Sequence, residues 1–159
     1  MLDDYLLPTD NLDGDKLLSD WRWLIKDMPI SIQAIAAVGN LFLKGESDRI
    51  YLLEIEDGTC ECIAESAEQF EEKLGDRHNR RAWLQGFLVR ELRQKGILLG
   101  PGQCYGHKIP LHLNCEAGIE NIEPVDLMVH VSTLGQLHRQ RRAMPPGSAI
   151  DEIHGNAPP

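Results

Sequence analysis

No apolar run in this 159-residue chain approaches the roughly 20 residues that a membrane helix needs, which excludes a helical membrane span. The opening residues MLDDYLLPTDNLDGDK are acidic and interrupted by Pro8 and Gly14, so they lack the basic start and apolar stretch of a secretory signal. A soluble, cytoplasmic protein is expected. Cysteine is scarce, with four residues, and without an export signal these are expected as reduced thiols rather than a disulfide framework. Cys60 and Cys62 share one strand face but are poorly placed to bridge each other. Repeats, low-complexity tracts and an internal Pro/Gly/Ser linker are also missing, which leaves one domain, large enough to bury a core without a structural metal. The expected organisation is an acidic arm over residues 1–18, a single domain over 19–150 and a flexible tail over 151–159.

Basic charge is in short supply, 16 Lys and Arg against 25 Asp and Glu, and the imbalance is uneven. Residues 1–76 carry 18 acidic and 6 basic side chains, a net of -12, whereas residues 77–159 carry 7 and 10, a net of +3. An acidic surface of this kind repels nucleic acid and anionic membrane and steers a basic protein. The run Arg139-Gln140-Arg141-Arg142 is short and lacks interleaved aromatics, so direct nucleic-acid binding is not expected.

The pattern of turns and periodicities predicts the elements. Ser19-Asp20 caps a helical turn closed by Pro29. Strands are expected over 34–44, 49–55 and 59–64, joined at Gly45-Glu46-Ser47-Asp48 and Asp57-Gly58 into an antiparallel meander. Ser66 and Gln69 form a capping box for a helix that buries Phe70 and Leu74 and leaves Glu68, Glu71 and Glu72 wet. A longer helix opens at Asn79 and ends at Gly96, with Leu84, Leu88 and Leu92 as its stripe and Trp83 and Phe87 widening it. Two strands, over 103–109 and 125–132, and a short basic helix LGQLHRQRR complete the domain. Strands, then helices, then strands without βαβ alternation give an α+β fold, a mixed or largely antiparallel sheet with two or three helices packed against it.

The stretch CYGHKIPLHLNC raises the question of zinc, since Cys104, His107, His112 and Cys115 stand as C-x2-H-x4-H-x2-C. In an extended chain, residues three apart face opposite ways, and the outer pair would lie roughly 36 Å apart at about 3.3 Å per residue. Tetrahedral coordination is therefore not expected. Cys104 is a candidate nucleophile only if His107 or His130 activates it. No Gly-x-Ser-x-Gly elbow or His-Glu-x-x-His pair accompanies it, and Gly100-Pro101-Gly102 lacks the Lys-Ser/Thr of a phosphate loop. His130 reads as a structural histidine on a strand, and Glu54 and Glu56 as the solvent face of an edge strand.

Several segments together point to a family. Gly39-Asn40-Leu41-Phe42-Leu43, Gly100-Pro101-Gly102-Gln103-Cys104-Tyr105, Val129-His130 leading to Leu134-Gly135-Gln136-Leu137-His138, and Pro145-Pro146-Gly147 occur in this order. Over residues 20–150 the chain resembles a bacterial domain found in type VI secretion immunity proteins. After Pro110 it departs from the family tendency Pro-x-x-Leu-Gly-Gly, which makes His112 and Cys115 local features. Many relatives also carry a further N-terminal domain. The resemblance implies a non-enzymatic, cofactor-free protein that binds a cognate toxin effector in the cytoplasm, expected here to be a basic nuclease. Asp57, Glu68, Glu71 and Glu72 are the candidate toxin contacts, with no catalytic or metal residue assigned. The alternative is a metal- or small-ligand-binding regulatory domain built on Cys104, His107, His112 and Cys115.

Overall fold

The computed structural model describes residues 2–108 and 118–144. Two short helices, α1 (Gly14–Leu18) and α2 (Arg22–Ile25), flank a 3-10 turn at Ser19–Trp21 and precede a four-stranded sheet. Its strands β1 (Ser31–Ile35), β2 (Leu41–Lys44), β3 (Ile50–Glu54) and β4 (Thr59–Ala64) pair in sequence order, each antiparallel to the next. The expected meander is present with one strand more than the turn signals indicated. The run 34–44 is not one strand: Gly39 N–H donates to Ala36 O, and the chain reverses there with Gly39 at φ +92°. An apolar run offered no polar turn signal beyond Gly39-Asn40.

Helices α3 (Ala67–Leu74), α4 (Arg77–Leu84) and α5 (Gly86–Gln94) follow, then β5 (Gln103–His107), β6 (Ile122–Asp126) and α6 (Leu127–Ala143). β5 and β6 form a separate antiparallel pair, tied to the main sheet by Tyr105 N–H donating to Ala37 O at 2.8 Å. The Ser66 cap holds, with Ser66 Oγ accepting from Gln69 N–H, while Gln69 Oε1 accepts from Glu65 N–H, one residue before the cap, rather than from Ser66 N–H as a capping box requires. Two further expectations fail. The strand over 125–132 ends at Asp126, whose carboxylate accepts from Val129 N–H at 2.9 Å and starts α6, so His130 is helical. The single helix from Asn79 is two helices, because Gln85 adopts the left-handed conformation at φ 49° and ψ 50°.

The four-stranded sheet is buried on both faces, and its alternation sorts the core in two. Leu41, Leu43 and Leu53 face α1, α2 and α6, where Trp21, Val131 and Leu134 complete one cluster. Phe42, Ile50 and Leu52 face α3, α4 and α5, where Phe70, Leu84 and Leu92 complete the other. Phe42 and Phe70 ring centroids lie 4.8 Å apart, with Trp83 6.3 Å from Phe42, an aromatic cluster whose pairs each contribute on the order of 1 kcal/mol beyond burial. The N-terminal segment joins the sheet: Leu7 N–H donates to Ile35 O, and Leu17 and Leu18 are buried.

Candidate functional site

Ionisable groups come together where the β3–β4 turn meets β5 and α6. Beyond Glu54 the chain leaves the strand, Ile55 N–H is captured by Asn40 Oδ1, and Glu56 turns inward. Its Oε1 lies 3.0 Å from His107 Nδ1 at the end of β5 and 3.6 Å from His130 Nε2 in the first turns of α6. The three side chains are between 10% and 15% exposed. The expectation that Glu56 lies on a solvent face is thus overturned, because the strand ends before it and the period of two no longer applies. Gly106 makes the approach of His130 feasible, since a Cβ there would stand 2.8 Å from His130 Cε1 and 2.6 Å from Val125 Cγ2.

Burial raises the Glu56 pKa, but contacts with His107 and His130 lower it by more and hold it at about 2. The carboxylate is therefore an acceptor, which makes His107 Nδ1–H the donor. At 3.6 Å, His130 Nε2 lies beyond ordinary hydrogen-bond distance of this oxygen. Among the described residues, Glu56 Oε2 and His130 Nε2 have no hydrogen-bond partner. A cavity of about 210 Å³ is lined by all three side chains with Lys108, Asp126 and Thr133 beside them. The same turn is held a second time by α6, where His138 Nε2 lies 3.0 Å from both Ile55 O and Glu56 O. Two carbonyls accept only from a protonated nitrogen, so the Nε2–H form of His138 is required. Burial lowers its pKa, which favours the neutral ring.

Cys104 is fully buried in the α6-side core, and burial followed by the charges of Asp126 and Glu56 pushes its thiol up to about 12. A nucleophilic cysteine needs the opposite environment. Burial and the raised pKa thus count against Cys104 as a nucleophile. For the metal reading, His107 is committed to Glu56 and Cys104 to the core, while His112 and Cys115 lie outside the described residues. Among the described residues no group of three or more His, Cys, Asp or Glu side chains is arranged to hold a metal ion.

Asp57, Glu68, Glu71 and Glu72 are all exposed. Glu68, Glu71 and Glu72 share α3, whereas Asp57 sits in the β3–β4 turn at the far end of β4, a separation of roughly 20 Å at about 3.3 Å per residue. The α3 carboxylates thus make a patch that does not include Asp57. Sequence reasoning passed over the role of Glu56 and the arginines Arg77, Arg80 and Arg81. Their spacing of three and four along α4 was the available signal for the latter.

A family model described as the C-terminal part of the type VI secretion system immunity protein Tdi1 matches residues 64–138, from the end of β4 through most of α6. No curated protein matches the chain. Among solved structures, the crystal structure of Atu4351 from Agrobacterium tumefaciens is similar, with 18% sequence identity and a TM-score of 0.52. The superposition covers 77% of this chain, which spans 63% of the length of Atu4351. At that identity the likeness concerns the fold alone. Over residues 64–138, just under half of its length, the chain is similar to the type VI secretion immunity proteins of the Tdi1 C-terminal family, which supports a place in that family.

Proposed function

We propose that this protein binds a cognate toxin effector in the cytoplasm and neutralises it by masking, and that the toxin is a basic nuclease. The family match over residues 64–138 carries the immunity reading. The exposed carboxylates Glu68, Glu71 and Glu72 on one helix support a basic partner, because an acidic surface can stand in for nucleic-acid phosphate and speed encounter. The high thiol pKa of Cys104 supports a role in binding rather than nucleophilic chemistry. Co-expression with the product of the neighbouring toxin reading frame tests the proposal. Restored growth and a co-purifying complex are expected; toxicity unrelieved by this chain, with no complex formed, would rule it out.

A further inference from the structure

The acidic balance of the chain conceals a basic groove. Between residues 77 and 95 there are six basic side chains and one acidic. The break at Gln85 separates α4 from α5, and a groove of about 790 Å³ lies against them. Leu2, Tyr5, Leu84 and Phe87 contribute apolar surface to it, and Arg77, Arg80, Arg81 and Arg90 contribute positive charge against the one lining carboxylate, Asp76, which caps α4 by accepting from His78 N–H and Asn79 N–H. None of these four arginines forms an ion pair among the described residues. Phe87 is 55% exposed, with the Arg81 and Arg90 guanidinium carbons 4.6 Å and 5.2 Å from its ring centroid. Such stacking favours the guanidinium over the ring and leaves its N–H edges open to acceptors.

From this arrangement we propose that the α4–α5 groove binds an acidic segment of the toxin, with carboxylates on the arginines and one apolar side chain beside Phe87. This rests on the toxin-binding reading above and adds a second surface of opposite sign to the α3 patch. The same face already accepts one carboxylate, since Asp4 pairs with Arg93 at 3.1 Å. Nucleic acid fits less well: the chain carries a net charge of -9, the preceding helix presents three glutamates, and Phe87 is the groove's one exposed aromatic among the described residues. A groove of this size lies within the range that ligand sites occupy, and planar guanidinium groups suit paired carboxylate oxygens.

The test uses the full chain, wild type and the Arg81→Glu/Arg90→Glu variant, with melting temperature confirming that both fold. The probes are the toxin and a short labelled peptide in which glutamates flank a central leucine, with a lysine counterpart and an oligothymidylate of equal length as controls. The glutamate peptide should bind in a salt-sensitive way, and the variant should weaken both peptide and toxin by about tenfold or more. Phe87→Ala should weaken the peptide without changing its salt dependence. Unaltered toxin and peptide affinity in the arginine variant overturns the groove proposal and leaves the toxin-binding reading standing. A toxin that fails to bind the wild type while the peptide still requires the arginines overturns that reading instead and removes the toxin as the groove's occupant. Tighter binding of oligothymidylate, or self-association of the wild type that the variant abolishes, assigns the groove to nucleic acid or to a second copy and likewise overturns the proposal.

Discussion

Glu56 is one carboxylate on which three elements converge, and its protonation should register in stability. Its pKa of about 2 lies below the ordinary 4.5, so the stabilisation is complete above the unfolded value and is lost as pH falls toward about 2. Replacing Glu56 by Gln should cost on the order of 2 to 3 kcal/mol near pH 7, with the gap to wild type closing on acidification. Urea midpoints across that range measure it; a gap independent of pH would show that charge is not its source. Sequence reasoning placed the residue on a solvent face because its partners lie 51 and 74 positions away and pairing at that range leaves no local pattern. Cys104 was legible as a buried thiol in kind, but the carboxylates that raise its pKa were not, since Glu56 reaches it through the fold.

At the scale of elements, local chemistry was readable wherever a side chain bonded its own backbone. The Ser66 cap and the turns at Gly45-Glu46-Ser47-Asp48 and Asp57-Gly58 fall where their composition places them. The start of α6 escaped notice because Val129, Val131 and Ser132 read as a strand, although Asp126 was standing in the capping position. The break at Gln85 escaped because glutamine is an ordinary helix former, and the leucine spacing runs across it. That break turns Phe87 outward instead of adding it to the core stripe. A non-glycine residue in the left-handed region costs roughly 1 kcal/mol, so Gln85→Gly should stabilise the protein by up to about 0.5 kcal/mol after the added freedom of the unfolded chain is subtracted. Thermal melts measure this, and a lowered midpoint would mean that the glutamine side chain contributes more than its backbone costs.

For the whole molecule, the charge imbalance between the two halves of the sequence becomes a contrast between neighbouring helices. The acidic α3 and the arginine-bearing α4 and α5 pack on the same side of the sheet. Reversing Glu68, Glu71 and Glu72 to Lys should slow association with a basic toxin about tenfold or more at low salt and have little effect at high salt. Stopped-flow association rates read this directly, and an unchanged rate at low salt would remove the α3 patch from the encounter. The α+β class and its antiparallel meander were legible in the turns, whereas the two-sided burial of the sheet depends on helices at both ends of the chain. Residues 64–138 supply α3, α4, α5 and most of α6 but none of β1, β2 or β3. Phe42 and Leu52 come from one face of those absent strands, and Leu41, Leu43 and Leu53 from the other. The stretch held in common with the family is accordingly a shell without its filling: excised from the chain, its helices would present bare apolar stripes to water on what are now the two sides of a shared sheet.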